Sequence, residues 1–506
     1  MHRKQIAAAL TAVTATSLLI APQAQAAGFA QQEIRWQQCF DPAPPGTERL
    51  ECGSFTAPLD WNNQNNGKTI TIAVSRTRPV TGTAKTAIFT NPGGPGGEGR
   101  TLPLIYLDRQ KLSENAEIYG IDVRGTGASS NVTCGGFDTF GSTDPRDRSR
   151  ANLDLIYGGM ELQAKFCQAK SGEFGRYVTT EQTVQDLDLL RQVIGRKKVD
   201  WLGYSGGSWM GAYYATYFPK TLGKVVLDSN TDFTGPWQGV FGDFGMGFER
   251  RFRVDFLPWV AKYDDVYHLG KTGEEVRQAY ERTRAALSRQ PVTLPEGTYY
   301  PTVLDLTLAQ GLYSKYSFDF AASKLAQLAG TAPAGFTAQA SYPDAPLATQ
   351  LAILCNDMQF RGDRKFLERD AAADGAKWPL LGYYQIMGPC AYWDRPNVRL
   401  KHPTGKGVTP TLMVQSVRDP ATPLEGAQRA HRNFENSVLL TVNDEGDHGI
   451  YGFGNGCVND IVERYLIDGV TPTKDLSCPG VPLPAPGQQQ AGPLEKARQL
   501  AAQLGW

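Results

Sequence analysis

Residues 199–211 read Val-Asp-Trp-Leu-Gly-Tyr-Ser-Gly-Gly-Ser-Trp-Met-Gly, and the rest of the fold is inferred outward from them. An apolar run breaks at the Gly-x-Ser-x-Gly formed by Gly203, Ser205 and Gly207 and continues as a segment compatible with a helix. A serine on a tight strand-to-helix turn needs neighbours without side chains, because the backbone there is crowded. The stretch therefore predicts a nucleophile elbow with Ser205 as the nucleophile.

A second register overlaps the first. Residues 206–209, Gly-Gly-Ser-Trp, resemble the Gly-Gly-Ser-Trp-Gly of proline iminopeptidases and would make Ser208 the nucleophile, but Met210 stands where that motif ends in glycine. In the Ser205 register both outer positions are glycine and the predicted strand ends immediately before Tyr204. We therefore favour Ser205.

A serine nucleophile needs an imidazole to take its proton and a carboxylate to orient that imidazole. The chain has five histidines, and only His448 lies in a turn just beyond a predicted late strand. Asp419 follows the strand before that one and stands between Ser205 and His448, which gives the chain order Ser, Asp, His of α/β hydrolases. Asp444 and Asp447 are alternative carboxylates, although acids so near in sequence seldom reach the ring nitrogen.

Backbone donors for an oxyanion are expected at two places. One is the N–H of Gly206, directly after the nucleophile. The other is the loop at residues 91–97, Asn-Pro-Gly-Gly-Pro-Gly-Gly, which follows an early predicted strand and offers Gly93 and Gly94.

The same loop carries a rival interpretation as a dinucleotide site. Gly94, Gly96 and Gly99 match Gly-x-Gly-x-x-Gly, and Asp122 stands at a plausible distance for a ribose contact. Pro95 removes an N–H where a phosphate needs donors, and an exported enzyme rarely meets free nicotinamide cofactor. We expect no cofactor.

Predicted strands and helices alternate along the chain, which indicates an α/β fold with a mainly parallel sheet flanked by helices. Residues 69–74 alternate as a half-exposed strand does, and we expect them near the sheet edge, after an irregular segment. Helices are predicted at residues 183–194, 274–287 and 458–466. Buried strands are predicted at residues 87–90, 118–122, 199–203, 224–228, 411–415 and 437–442.

About 180 residues separate the strand ending at Asp228 from the one starting at Thr411, far more than a crossover requires. They predict a large, mostly helical cap inserted between the strand after the nucleophile helix and the strand that carries the acid. The expected division is a signal peptide at 1–26, the first part of the core at 27–230, the cap at 231–405 and the second part of the core at 406–506.

The first residues have the form of a secretory leader. Residues 1–4 are Met-His-Arg-Lys, an apolar stretch runs over 6–21, and residues 24–26 are Ala-Gln-Ala. A membrane anchor is less favoured, because threonines interrupt the stretch and it falls short of the roughly 20 residues of a span. We expect a secreted, extracellular protein that starts at Ala27 and has no membrane attachment once the leader is cleaved.

Eight cysteines follow the leader, an even number in a chain bound for an oxidising compartment. The chain has no Cys-x-x-Cys and no histidine-rich cluster, so a metal site is not expected. Sequence alone does not fix connectivity, but short loops close most easily and favour neighbouring pairs. These pairs are Cys39/Cys52, Cys134/Cys167, Cys355/Cys390 and Cys457/Cys478.

Lys and Arg together number 51, as do Asp and Glu. No net field or basic run favours nucleic acid or an anionic membrane, so partners are expected to be small and not polyanionic.

Residues 91–97, 122–129, 203–211, 414–423 and 446–449 together resemble the secreted tripeptidyl aminopeptidases of actinomycetes, in the proline-iminopeptidase-like branch of α/β hydrolases. The resemblance runs along most of the chain. It implies a serine exopeptidase that removes tripeptides, or proline-ending tri- and tetrapeptides, from a free N-terminus. Separately from the resemblance, we expect a monomer.

The resemblance also implies roles for individual residues. Asn91, Asp122 and Arg124 would order the loops around the oxyanion hole. The elbow departs from the family, which commonly has tyrosine where this chain has Gly206, and the wider cleft leaves the residue preference open.

An exopeptidase must also hold the substrate's ammonium group, and Asp357 and Glu249 are the candidate carboxylates. Either is also interpretable as a salt-bridge partner at the surface. The remaining alternatives are an esterase or amidase that uses the same three residues, and a binding protein without catalytic activity.

Overall fold

The fold was obtained as a computed structural model that describes residues 28–40, 43, 47–80, 82–137, 143–331, 344–386 and 388–488. The predicted signal peptide, residues 1–26, lies outside the described residues. Within them, no helix has both the length and the apolar character needed to cross a membrane.

The strands of the described residues are β1 (Gln37–Gln38), β2 (Leu50–Pro58), β3 (Thr69–Thr77), β4 (Thr86–Asn91), β5 (Ala116–Ile121), β6 (Val199–Tyr204), β7 (Leu222–Asp228), β8 (Val292–Leu294), β9 (Gly297–Tyr299), β10 (Thr411–Ser416), β11 (Ser437–Asn443) and β12 (Leu476–Pro479). Ten of them form one sheet through the core, in the order β1-β2-β3-β5-β4-β6-β7-β10-β11-β12. Every neighbouring pair from β5 to β12 is parallel, while the pairs β1–β2, β2–β3 and β3–β5 are antiparallel. The predicted mainly parallel sheet is therefore confirmed.

Helices cover both faces of this sheet, which is why the central strands are buried along their whole length. All six residues of β6 are buried, as are all six of β10. The helices of the described chain are α1 (Gln110–Asn115), α2 (Arg150–Gly175), α3 (Thr180–Val193), α4 (Gly206–Tyr217), α5 (Trp237–Gly242), α6 (Phe244–Arg251), α7 (Leu257–Lys262), α8 (Asp264–Tyr267), α9 (Gly273–Arg289), α10 (Pro301–Leu312), α11 (Phe318–Ala329), α12 (Asp344–Asp357), α13 (Arg364–Lys377), α14 (Leu424–Asn433) and α15 (Gly456–Glu463).

The described residues between β7 and β10 are mostly helical, as expected for the inserted cap. It holds α5 to α13 and a small antiparallel hairpin of β8 and β9. Phe252, Tyr280, Leu308 and Phe318 belong to an apolar cluster of its own, distinct from the clusters that pack on the sheet. The cap therefore has a separate core.

One edge of the sheet differs from the prediction. Residues 69–74 fall in β3, which is third from the edge, because β2 pairs with it over nine residues. The segment expected to be irregular thus contains a long strand. Gly53 and Pro58 lie within β2 and hide it, since both residue types weaken a strand pattern.

All eight cysteines pair as predicted. The bonds join Cys39 to Cys52, Cys134 to Cys167, Cys355 to Cys390 and Cys457 to Cys478. The first links the residue that follows β1 to β2, and the last links α15 to β12.

Candidate active site

Ser205 occupies the turn between β6 and α4 with φ +55° and ψ −123°. Residues other than glycine avoid positive φ, so this turn is strained. A Cβ placed on Gly203 would lie 2.3 Å from the carbonyl oxygen of Gly207, so no side chain fits there. The Ser205 side chain makes no capping hydrogen bond to α4. This geometry is that of the predicted elbow.

Ser208, the nucleophile of the alternative register, is buried in the first turn of α4. Its Oγ donates to the carbonyl oxygen of Ser205 at 2.6 Å and accepts from the N–H of Thr231 at 3.0 Å. Ser208 therefore stabilises the turn through its bond to the Ser205 carbonyl oxygen, and the geometry favours Ser205 as the nucleophile.

His448 and Asp419 form a close pair. His448 Nδ1 lies 2.9 Å from Asp419 Oδ1 and 3.0 Å from Oδ2, and the Asp419 side chain is fully buried. Asp419 Oδ1 also accepts from the N–H groups of Ala421 (2.9 Å) and Thr422 (2.8 Å). Because the carboxylate faces Nδ1, that nitrogen carries the proton and Nε2 is left as the acceptor.

The alternative carboxylates are bonded elsewhere. The side chain of Asp444 is 96% exposed and lies 3.7 Å from Arg418. Asp447 Oδ1 accepts from Arg251 Nη2 at 2.5 Å and from the N–H of Lys315 at 2.7 Å. Asp419 is therefore the carboxylate that the fold gives to His448.

The glycine loop at residues 91–97 lies against the elbow. A Cβ on Gly93, where φ is +91°, would lie 2.8 Å from Ser205 Cβ, and one on Gly206 would lie 3.2 Å from Gly94 N. Asn91 Oδ1 takes the N–H of Gly93 at 2.9 Å, so the predicted donor role does not suit Gly93. No partner within the described residues takes the N–H of Gly94 or Gly206, and both can donate to an oxyanion.

Asp122 orders this loop. Its carboxylate accepts from the N–H groups of Gly99 (2.9 Å), Arg100 (3.0 Å) and Ala128 (2.9 Å), and from Arg100 Nε at 2.7 Å. Oxygens so fully engaged cannot also hold a ribose, which removes the basis for the dinucleotide site. Arg124, the other residue with an implied ordering role, is buried and pairs with Asp186 at 2.7 Å.

A family model described as "TAP-like protein" matches residues 378–478. The tripeptidyl aminopeptidase of Streptomyces lividans is 32% identical over 498 residues, covering 91% of this chain and 89% of that protein. This chain belongs to the tripeptidyl aminopeptidase family. Serine protease Hip1 of Mycobacterium tuberculosis is 26% identical, covering 88% of this chain and 91% of that protein. Carboxylesterase B of the same organism is 25% identical, covering 88% and 89%.

Membership of this family makes the chain a serine peptidase of the α/β-hydrolase fold. The substrate's ammonium group then needs a partner, and neither predicted carboxylate is free. Asp357 is buried and accepts from the N–H (2.9 Å) and Oγ1 (2.6 Å) of Thr180. Glu249 is buried and accepts from Arg253 Nε at 2.5 Å and the N–H of Leu380 at 2.9 Å. Both hold the fold together, and we assign amine recognition to neither.

Sequence reasoning missed two groups that hold the loop of His448 in this family member. Asp228, at the end of β7, accepts from the N–H groups of Ile450 (3.1 Å) and Tyr451 (2.7 Å), and burial raises its pKa to about 7. The N–H of His448 donates to the carbonyl oxygen of Tyr313 in the cap at 2.8 Å, and the two rings meet edge to face at 5.2 Å. The sequence did offer one signal for Asp228, since a charged residue at the end of a buried strand is unusual. It offered no signal for Tyr313, whose bond to His448 is made by a backbone carbonyl oxygen.

Proposed function

We propose that this peptidase is secreted and releases tripeptides from the free N-terminus of peptides through an acyl-enzyme. The proposal is carried by the geometry of Ser205, which lies on a strained turn beside the glycine loop. Asp419 pairs with His448 at the same edge of the sheet. The relatives' activity, the leader-like residues 1–26 and the four disulfides support its finer parts.

In the proposed reaction, Ser205 Oγ attacks the carbonyl carbon of the scissile bond while His448 Nε2 takes its proton. Asp419 stabilises the resulting imidazolium through Nδ1–H, and the N–H groups of Gly94 and Gly206 bind the oxyanion. The imidazolium then protonates the leaving amine, and the tripeptide stays as an ester on Ser205. Water, deprotonated by His448, hydrolyses that ester and frees the enzyme.

Cleavage from a free N-terminus is tested with two forms of one proline-containing peptide, one with a free α-amine and one acetylated. We expect mass spectrometry to find a tripeptide released from the free form only. Equal cleavage of both forms would overturn the exopeptidase assignment while leaving the serine chemistry intact.

An esterase or amidase using the same residues is the second candidate, because carboxylesterase B is among the relatives. Comparing kcat/KM for a tripeptide p-nitroanilide and for short-chain acyl esters separates the two. The proposal predicts that the peptide substrate is preferred, and a reversed preference favours the esterase.

Secretion has its own measurement. The proposal predicts that protein recovered from the culture medium of an expressing host begins at Ala27, which intact-mass analysis or N-terminal sequencing reads directly. Protein that keeps residues 1–26 and stays in the cell would contradict it.

A further inference from the structure

Asp228 is the last residue of β7 and Ser229 is the residue after it. Their backbones are hydrogen-bonded to the segment of β6 and Ser205 on one side and to β10, which leads to Asp419, on the other. The N–H of Ser205 donates to the carbonyl oxygen of Asp228 at 3.0 Å. The N–H of Ser229 donates to the carbonyl oxygen of Val414 at 2.9 Å, within the strand that leads to Asp419. The pair thus joins the nucleophile segment to the acid segment.

The side chains of the same pair hold the segment after His448. Three successive N–H groups are bound, that of Gly449 by Ser229 Oγ (2.7 Å) and those of Ile450 and Tyr451 by the Asp228 carboxylate. Asp228 and Ser229 are both completely buried, so water does not compete for these bonds. The position of His448 is therefore fixed from the core side by two side chains.

Backbone strain marks Ser229 as more than a connector. Its φ is +57°, a region that favours glycine. The hydroxyl that glycine would lack accepts from Gly449 and donates to Asp228 Oδ1 at 3.2 Å. Strain of this kind persists where the surroundings demand it and is concentrated at functional sites.

We propose that Asp228 and Ser229 are positioning residues that hold His448 at the distance from Ser205 required for proton transfer. The inference rests on the proposed function, and neither residue contacts the reacting atoms. On its other side the His448 segment is bound by the cap, through Tyr313. Without the bonds from Asp228 and Ser229, the His448 segment is held by its bond to the cap and the imidazole can shift away from Ser205. A displacement of about 1 Å at a reacting group costs up to about 100-fold in rate.

Asp228→Asn tests the carboxylate. In the wild type Oδ2 accepts from the N–H groups of both Ile450 and Tyr451, while Oδ1 accepts from the N–H of Ile450 and from Ser229 Oγ, each at 3.2 Å. A carboxamide whose oxygen keeps the Oδ2 bonds turns its NH₂ toward the two donors that Oδ1 accepted, and it removes the negative charge. We expect kcat to fall about 10- to 100-fold with KM within threefold. The rate at which a serine-directed phosphonate inactivates the enzyme should fall in parallel, since that reaction needs the imidazole but no peptide.

Asp200→Asn is the matched control. Asp200 is also buried and accepts from a backbone N–H, that of Lys224 at 2.7 Å. It lies near the start of β6, at the end of the strand opposite to Ser205. We expect it to change the melting temperature without changing kcat or the inactivation rate. A similar loss of rate in both variants, or no loss in Asp228→Asn, overturns the inference.

The pH profile separates positioning from general damage. Burial raises the pKa of Asp228 to about 7, so the wild-type side chain is charged above neutrality and neutral below it. Tyr106, Tyr204 and His448 also face it, and burial keeps the pKa of both phenols far above neutrality. The ratio of wild-type to Asp228→Asn inactivation rates should therefore shrink from pH 8 to pH 5. A ratio independent of pH contradicts the role of the charge.

Ser229→Gly supplies a variant that relieves strain instead of adding it. It removes the hydroxyl and keeps the backbone conformation, so we expect a lower inactivation rate. Relief of the positive φ offsets the stability lost with the hydrogen bond to Gly449, so the melting temperature should change little. The control is Asn436→Gly, an exposed residue with φ +59° outside the site. Unchanged activity in Ser229→Gly overturns the inference. A phosphonate adduct on Ser205 of the wild type shows that the nucleophile is right, and its absence overturns the proposed function together with the inference.

Discussion

Two serines three residues apart have opposite surroundings, and these surroundings decide what each hydroxyl does. Ser205 stands on a strained turn with no helix-capping bond, while Ser208 is buried and bonded to the Ser205 carbonyl and to Thr231. The chemistry of the site thus depends on backbone geometry more than on residue type.

Replacing each serine by alanine distinguishes the two registers. Ser205→Ala should abolish peptide hydrolysis and phosphonate labelling with little change in melting temperature. Ser208→Ala should keep both reactions within about tenfold while lowering the free energy of unfolding by about 1–2 kcal/mol, because it removes a buried hydrogen-bond partner. Labelling of Ser208 in the Ser205→Ala variant would reverse the assignment.

Gly93 lies so close to the elbow that any side chain there collides with it. Gly93→Ala would place a Cβ 2.4 Å from the carbonyl oxygen of Tyr204 at φ +91°, so we expect loss of activity as the loop moves away from Ser205. Gly67→Ala is the matched control, since Gly67 also has positive φ (+73°) but nothing within 4 Å of the added carbon. Comparable activity in the two variants would contradict the close approach.

Among the elements, those formed from continuous local patterns were predictable and those held by distant contacts were not. The helices expected at 183–194 and 274–287 appear as Thr180–Val193 and Gly273–Arg289, because apolar periodicity is a property of the segment itself. In β2, Gly53 and Pro58 obscure the pattern, and the strand exists because nine residues pair with β3.

The same contrast holds within the site. The order of Ser205, Asp419 and His448 could be read along the chain, but the bond from Asp228 to Ile450 spans 222 residues and has no local signature. The hydrogen bonds that occupy Asp357 and Glu249 could not be predicted from the sequence for the same reason, since their partners Thr180 and Leu380 come from distant parts of the chain.

A buried ionic cluster fastens the cap to the segment that carries His448. Lys315, in the short turn that follows the cap helix α10, lies 2.6 Å from Glu445 and 3.8 Å from Asp447, and all three are buried. Lys315→Met leaves buried Glu445 without its cation, whereas Asp447 keeps Arg251, and should lower the free energy of unfolding by about 3–5 kcal/mol. Thermal or denaturant unfolding measures it against Lys271→Met, an exposed control. Equal stability of the two variants would contradict the fastening role.

At the scale of the whole molecule, disulfides close loops of different length. The bond from Cys355 to Cys390 closes 35 residues and that from Cys39 to Cys52 closes 13. Replacing both cysteines of the longer loop by alanine should lower the free energy of unfolding by about 3–4 kcal/mol, and the same change in the shorter loop by about 1 kcal/mol less. The reason is that the unfolded chain regains more conformational freedom when the longer loop is opened. Denaturant unfolding of the two double variants checks the order, and a larger loss for the shorter loop would contradict it.

The split of the core around the cap has a consequence for synthesis. β7 and β10 are neighbours in the sheet, yet the whole cap must be translated between them. The 222 residues from Asp228 to Ile450 take about 10–40 s on a ribosome. During that interval the nascent polypeptide has Ser205 but not His448, so under the proposed mechanism a prematurely terminated translation product has no peptidase activity.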